Sequence, residues 1–349
     1  MPDYSNTYSN TVGSGGDFAT IALWFASRKD QSHVDGDLEE CCLLDGVHSF
    51  TTTQRTWDTN GDLTIRYKAQ TPQDGKLDTG AILALDGTHE FKRDGNTTIE
   101  IIDCVCSGTD VFSPFQIAAT TPGAARDNTI NLTRTIWTKR TTHGYWIQIF
   151  QMDGTTTFNI ENTVIENQLD GNMDWLLGGG NSNRSINLNV SGCTWHNVRV
   201  NLNQTDTSCT FVSVGNIYNT HPTAARLLFC PTLTDCSSID DITERGTGNH
   251  ANVFGTIINH SPLVTFNTDG SDPAVGEVSF LGDYTVCSQN FALVDHPNNL
   301  ALDYVVSGPA LGFTSTSEDL SNSTRLGTAD CGAFERPRLK NKVTPVNLF

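Results

Sequence analysis

Hydrophobic and polar positions alternate along this chain in one frame that recurs four times. The frame reads apolar, any, apolar, any two, small, any, apolar. Its four units carry Ile99, Ile101, Cys104 and Cys106; Ile130, Leu132, Thr135 and Trp137; Phe158, Ile160, Thr163 and Ile165; and Leu188, Val190, Cys193 and Trp195. Strict alternation is the periodicity of a β-strand, in which successive side chains point to opposite faces. The frame therefore predicts repeated pairs of strands.

A fifth unit fits the frame more loosely, through Thr210, Val212, Gly215 and Ile217. The units begin 22 to 31 residues apart, at positions 99, 130, 158, 188 and 210, which suits β-coils joined by loops of variable length. Each coil buries its apolar side chains only by lying on its neighbours. We therefore predict an all-β fold, a right-handed parallel β-helix solenoid. The alternative, unrelated hairpins of a β-sandwich, explains the alternation but not the frame.

The frame also predicts which side chains point inward. Ile101, Leu132, Ile160 and Val190 are expected to form one buried stack, with Glu100, Asn131, Asn159 and Asn189 outward. The small residues Cys104, Thr135, Thr163, Cys193 and Gly215 are expected at a bend between two strands. Asn167, Asn197 and Asn219 end their units, and we expect them in one column at a turn that uses left-handed backbone. Cys104 and Cys193, on separate coils, are expected to be reduced core residues.

The ends of a solenoid expose unpaired strand edges that need a cover. Residues 17–29 place Phe18, Ile21, Ala22 and Phe25 at helical spacing, with Leu23 and Trp24 widening the apolar face. We predict a short N-terminal cap helix with Asp17 as its N-cap. Three regions follow: an N-terminal arm and cap helix over 1–44, β-helix coils over 45–298, and an irregular C-terminal cap with a basic tail over 299–349.

Charge and composition limit the classes of binding partner that we expect. The chain has 21 Lys and Arg against 39 Asp and Glu, a net charge of −18. This charge repels phosphate backbones and anionic lipid surfaces, so we expect neither nucleic acid nor membrane as a partner. The sequence contains no apolar run long enough for a membrane span and no signal-peptide pattern at its start. Its ten cysteines show no paired spacing typical of zinc sites, and we expect no cofactor.

Motifs near both ends resemble a known family. GGDFATIALWFAS at 15–27 is similar to the opening of right-handed parallel β-helix (pectin-lyase-like) proteins of tailed phages and bacteria. GPAL at 308–311 and ADCGAFE at 329–335 resemble the closing pattern of the same proteins, although Leu311, Gly312 and Cys331 depart from it. The resemblance implies the solenoid fold. It carries no activity, because these motifs belong to the structural ends.

Three functions are compatible with these observations. The first is a structural protein of the tailed-phage virion, a capsid decoration, cement or spike subunit that acts by rigid shape and surface contacts. The second is a polysaccharide lyase or glycoside hydrolase of the tailspike type, and the third is a non-catalytic glycan-binding module. For the first we expect a homotrimer located in the virion that contacts other virion proteins and host surface glycan.

The frame brings one chemically interesting column together. Glu166, His196 and Tyr218 follow the last apolar position of three successive units, after Ser107 and Thr138, so they are expected as outward neighbours on adjacent coils. Glu166 and His196 are the candidate catalytic residues, and Tyr218 is a candidate glycan platform. A second cluster, Asp240, Asp241 and Glu244 with His250, is a candidate hard-cation site. The alternative for both is an ordinary solvated surface.

Overall fold

A computed structural model of the chain gives the fold. It describes residues 3–49, 55–56, 62–73, 75–85, 89–93, 95–109, 115–119, 126–140, 143–150, 154–167, 172–179, 184–196, 198–201, 207–219, 228–229, 232–239, 241–244, 263–264, 266–267, 269–281, 293–302 and 332. In this part of the chain one short α-helix accompanies a large set of parallel strands.

The elements follow one another as short strands, with the helix near the start. They are β1 (Thr7–Val12), α1 (Ile21–Arg28), β2 (Asp37–Leu43), β3 (Gly46–Ser49), β4 (Arg55–Thr56), β5 (Leu63–Ala69), β6 (Ala81–Ala84), β7 (His89–Arg93), β8 (Thr97–Ile102), β9 (Val105–Thr109), β10 (Phe115–Ala119), β11 (Asn128–Thr133), β12 (Ile136–Arg140), β13 (His143–Phe150), β14 (Gly154–Glu161), β15 (Val164–Asn167), β16 (Asn172–Gly179), β17 (Arg184–Ser191), β18 (Thr194–His196), β19 (Arg199–Asn201), β20 (Thr207–Val214), β21 (Ile217–Asn219), β22 (Leu228–Phe229), β23 (Thr232–Ile239), β24 (Ile242–Glu244), β25 (Leu263–Val264), β26 (Phe266–Asn267) and β27 (Val278–Ser279).

Three parallel sheets run along the molecule. Sheet A has the order β1-β2-β5-β8-β11-β14-β17-β20-β23. Sheet B has the order β25-β24-β21-β18-β15-β12-β9-β6-β3, and sheet C has the order β22-β19-β16-β13-β10-β7-β4. Because the chain visits one strand of each sheet in turn and then starts the next coil, the protein is a parallel β-helix, as predicted. A small separate sheet pairs β26 with β27.

The predicted register is confirmed for the first four repeat units. Ile99 pairs with Ile130, Ile130 with Phe158, and Phe158 with Leu188 across sheet A. The predicted stack of Ile101, Leu132, Ile160 and Val190 is buried throughout, with at most 2% exposure. In sheet B the inward residues Cys106, Trp137, Ile165 and Trp195 are also buried and paired in register. These columns form the main apolar core.

The predicted register is wrong by one residue in the fifth unit. Leu188 pairs with Phe211, which is buried, while Val212 pairs with Asn189 and points outward. Because side chains alternate along a strand, a slip of one residue exchanges the two faces. In sheet B the same slip pairs Tyr218 with Trp195 in the core, and it pairs Asn219 with His196.

The corner between sheets A and B is turned by one left-handed residue in each of five successive coils, from β8 to β20. Their φ angles lie between 50° and 64°, at Asp103, Arg134, Asn162, Gly192 and Gly215. Gly215 therefore belongs to this corner column and not to the small inward column, where Asn216 takes its place. The left-handed residues were predicted at the asparagines that end each unit, and for Asn167 and Asn219 that prediction is wrong. Asn219 pairs with His196 and is out of line with Asn167, while Asn197 lies outside the described residues.

The column after the corner is small in its first four members, as predicted, and its hydroxyl groups form short-range hydrogen bonds. The hydroxyls of Thr135 and Thr163 lie 3.2 Å apart, and Trp137 Nε1 donates to Thr135 Oγ1 at 3.0 Å. Cys104 and Cys193 are reduced and buried, as predicted. Burial raises the pKa of the Cys104 thiol well above its ordinary value, which keeps it protonated.

The N-terminal end of the core is covered by helix α1. The helix begins at Ile21, because Thr20 is the N-cap and its Oγ1 accepts from Leu23 N at 3.2 Å. The predicted N-cap, Asp17, instead accepts from Thr11 N and Oγ1 and lies outside the helix. Ile21, Trp24 and Phe25 are buried, as the apolar pattern predicts, whereas Leu23 is 56% exposed and Phe18 precedes the helix.

A buried charge cluster lies under this helix. Asp37, Glu39 and Cys41 pair with the inward residues of β5, so Glu39 points into the core and is 0% exposed. Arg28, from the last turn of α1, donates to both Glu39 oxygens, and His33 Nε2 lies 2.6 Å from Glu39 Oε1. Such a pair fixes the helix against the first coils, because either charge alone in this place would be costly.

The outer face of sheet B is apolar and is covered by a C-terminal segment. The outward column Val105, Ile136, Val164 and Ile217 forms a second core with Phe266, Val278, Phe280, Leu293 and Ala301. The described residues between 266 and 302 thus lie on the flank of the β-helix and outside its three main sheets. Of the region 299–349, predicted as the C-terminal cap and tail, only residues 299–302 and 332 are described.

Gly332 shows why the closing motif carries a glycine. Its N–H donates to Gly215 O at 2.8 Å. A Cβ at this position would lie 2.7 Å from Ile217 Cδ1 and 2.8 Å from Thr194 Oγ1, closer than atoms pack. The glycine therefore lets the chain lie directly on the outer face of sheet B.

Candidate functional site

The predicted catalytic column is only partly assembled, and it is not open to solvent. Glu166 and His196 are neighbours in register on β15 and β18, as the frame predicts. Both are covered by the chain itself, with 0% and 4% exposure. Glu166 and His196 were expected to face a sugar, but they are buried. Other parts of the same chain cover the outer face of sheet B, so these two side chains do not meet solvent.

Tyr218 is not part of that column. The one-residue slip turns it into the core, where it is 1% exposed and its ring lies 6.1 Å from that of Trp195. Its hydroxyl lies 2.7 Å from Ser213 Oγ, so its polar end is satisfied internally. Tyr218 is therefore a core residue, and the prediction of an exposed glycan platform is wrong.

The candidate metal cluster has one described side chain. Asp241 is 1% exposed, and its Oδ1 accepts from Asn216 N at 2.8 Å and Asn216 Nδ2 at 3.0 Å. Asn216 Oδ1 in turn accepts from Cys193 N at 2.7 Å. Asp241 thus holds the inward column in place at the fifth coil. The side chains of Asp240, Glu244 and His250 lie outside the described residues.

The outer face of sheet A carries a continuous ladder of polar side chains. Asn189 Nδ2 donates to Asn159 Oδ1 at 2.9 Å, and Asn159 Nδ2 donates to Asn131 Oδ1 at 2.9 Å. Asn131 Nδ2 donates to Glu100 Oε1 at 3.2 Å. All three amides therefore point the same way, with their N–H groups toward the Glu100 carboxylate. Aligned amides polarise one another, which strengthens such a chain.

An ion-pair cluster continues the ladder toward the N-terminus. Arg66 donates from Nε to Glu100 at 2.6 Å and from Nη1 to Glu40 at 3.0 Å. Its Nη2 donates to the Tyr4 hydroxyl at 2.8 Å, and Ser9 Oγ donates to Glu40. The hydrogen bonds thus link every coil from β1 to β17 along one line.

The ladder ends at a shallow groove. Two neighbouring outward columns cross β14, β17 and β20 here, and both change from polar residues to valine at β20. The volume of this groove is about 150 Å³. We call it the outer groove, and it is lined by the side chains of Asn159, Glu161, Asn189, Ser191, Val212 and Val214. The register places Glu161, Ser191 and Val214 in one column, and Asn159, Asn189 and Val212 in the other.

The carboxyl of Glu161 is the titratable group of the outer groove. Glu161 is an exposed residue, yet the atoms packed around its carboxyl desolvate it and raise its pKa above the ordinary value. A carboxyl of this kind accepts hydrogen bonds strongly when ionised. One carboxyl lines the groove among the described residues, whereas most glycosidases use two that flank the scissile bond. The groove is therefore better suited to binding than to hydrolysis.

The sequence analysis predicted only some of the outward residues that line the outer groove. The frame predicted Asn159 and Asn189 as outward, but the slip in the fifth unit placed Val212 in the core. An alignment of Gly192 with Gly215 would have corrected it, since both are corner residues. Glu161 follows the second apolar position of its unit, and nothing in the sequence distinguished it from other outward residues as part of a site.

Comparison of this chain with protein-family models, curated proteins and solved structures finds no match. The similarity to β-helix proteins of tailed phages therefore stays a resemblance of motifs at the ends. Within the described residues, the helix is eight residues long, and no helix there has the length and apolar character needed to cross a bilayer.

Proposed function

We propose that the protein is a structural component of a tailed-phage virion, a decoration, cement or spike subunit that works as a rigid surface element. The expected form is a homotrimer in the particle, in contact with other virion proteins and presented to host surface glycan. The motif resemblance at both ends supports this assignment, and so does the acidic charge of −18, which keeps repeated copies soluble and apart from nucleic acid.

The observation that carries the proposal is the polar ladder of sheet A. From Ser9 to Asn189 the outward side chains bind one another along the axis, which adds side-chain hydrogen bonds to those of the backbone. A surface whose polar groups are engaged in this way resists bending between coils. Stiffness along the axis is what a spike or decoration protein needs.

The depolymerase alternative receives less support. Its candidate residues Glu166 and His196 are buried, with 0% and 4% exposure, and so lie out of reach of a polysaccharide. Incubation of the purified protein with host capsular and lipopolysaccharide fractions tests it. We expect no release of reducing ends or unsaturated uronides, and a release that Glu166→Gln abolishes would favour the enzyme.

Quantitative mass spectrometry of purified particles tests the structural role. Phage particles produced by a genome that encodes this chain should contain it after density-gradient purification. A copy number comparable to that of the capsid protein indicates decoration, and a few copies per particle indicate a spike. Absence of the chain from particles, with abundant chain in the lysate, would refute the proposal.

A further inference from the structure

We propose that the outer groove binds one ring of a neutral glycan, which donates its hydroxyl hydrogens to the groove and lays its C–H face on Val212. This site rests on the contact with host surface glycan proposed above, and it adds the class of sugar and the residues that would hold it. The argument rests on the acceptors that the groove presents, on its apolar floor and on its charge.

The outer groove is rich in hydrogen-bond acceptors. Asn189 uses one of its two Nδ2 hydrogens on Asn159, and the next residue of the column is Val212, which has no side-chain donor. The Oδ1 of Asn189 is therefore the open acceptor end of the three-amide ladder. The carboxylate of Glu161 accepts as well, and the Ser191 hydroxyl both accepts and donates. A ligand for this surface must supply O–H or N–H groups.

The floor of the groove is apolar in part. Val212 is 38% exposed, and Val214 is buried beside it. Outward neighbours on a strand are about 7 Å apart and adjacent strands about 4.8 Å apart, so the six side chains span a patch about 7 Å by about 10 Å. A pyranose matches this pattern, because it has hydroxyls around its edge and C–H groups on its faces.

Charge and size narrow the class of glycan. No described side chain of the outer groove is cationic, Glu161 is acidic, and the whole chain carries −18. A uronate or sialate would be repelled, whereas a neutral sugar would not. At about 150 Å³ the groove is smaller than the ~300–1,000 Å³ pockets that enclose a drug-sized ligand, so it holds a single ring and leaves the rest of the glycan in solvent.

Saturation-transfer NMR on the full chain tests the site. The probes are neutral hexasaccharides of glucose, galactose, mannose and rhamnose, with hexagalacturonate and a sialic acid oligomer as acidic probes. We expect at least one neutral probe to bind with a Kd of about 1 mM, as suits a shallow site, and the acidic probes not to bind. Val212→Arg should weaken that binding at least about tenfold by filling the groove.

Two further variants separate the groove from the fold and from other surfaces. Val275→Arg adds the same charge at a valine that is 85% exposed outside the groove, and it should leave binding unchanged. Glu161→Gln should weaken binding about fivefold, because a neutral acceptor replaces a charged one. The proposal is overturned if no neutral probe binds at about 10 mM, if only acidic probes bind, or if Val212→Arg and Val275→Arg have equal effects.

Discussion

Ile160 offers the most direct test of the inward register. It lies in the middle of the stack between Leu132 and Val190 and is 0% exposed. Replacement by Ala removes three carbons, which are worth about 2.4 kcal/mol at about 0.8 kcal/mol each, and the cavity left behind adds to this. We expect Ile160→Ala to lower the free energy of unfolding by about 3–4 kcal/mol.

Urea denaturation measures this loss, followed by far-UV circular dichroism and by the fluorescence of the buried Trp137 and Trp195. Coincident curves from the two probes justify a two-state fit, which a solenoid does not always obey. Val212→Ala is the matched control, because Val212 lies outward on the same sheet and should cost less than about 1 kcal/mol. Ile160→Asp should prevent folding of the middle coils, since it buries an unpaired charge. Equal losses for Ile160→Ala and Val212→Ala would refute the register.

Three other changes probe polar parts of the structure by thermal or urea denaturation. Asp241→Ala leaves the buried donors of Asn216 without their charged acceptor and should lower the free energy of unfolding by about 3 kcal/mol. Asp241→Asn keeps an acceptor oxygen and should lower it less. Equal losses for the two variants would contradict this role of Asp241. Arg28→Met should cost about 3 kcal/mol, because it removes the cation that bonds both oxygens of the buried Glu39 and leaves His33 beside that carboxylate. Adding Glu39→Gln should recover part of the loss, and a further loss would argue against a buried ion pair. Burial raises the pKa of Glu161 in the folded state. Ionised Glu161 therefore lowers the free energy of unfolding above that pKa, and this loss disappears at a pH below the pKa of the unfolded chain, near 4.5. Glu161→Gln should therefore raise Tm at pH 7 and lose this advantage as the pH falls toward 4; an advantage that grows at acid pH would contradict the shift.

The fold could be predicted from the sequence because stacking repeats the same environment in every coil. Ile99, Ile130, Phe158 and Leu188 occupy equivalent places, so the apolar frame records the register directly. The fifth unit misled the alignment because Val212 is apolar but points outward, while Ser213 is polar but points inward. Hydrophobicity alone misplaces such a pair, whereas the backbone requirement at Gly215 does not.

The burial of Glu166 and His196 could not be predicted from the frame. Their exposure depends on what covers sheet B, and the described part of that cover comes from residues between 266 and 302 and from Gly332, which have no place in the repeat. Similarly, the outer groove arises where Val212 interrupts the asparagine column. Local periodicity specifies which face a residue takes, but contacts between distant segments decide whether that face meets solvent.

The C-terminal residues that pack on the outer face of sheet B also limit how this molecule can evolve. In most solenoids a repeat can be duplicated or lost, because each one contacts only its neighbours. Here Phe266, Phe280 and Leu293 share one core with side chains of several coils, from Val105 to Ile217. An inserted or deleted coil between those positions would shift the coils beneath the segment by one strand spacing, about 4.8 Å, and break its fit. The second core therefore ties together coils that would otherwise depend on their immediate neighbours alone, so a change in coil number between those positions would disturb it.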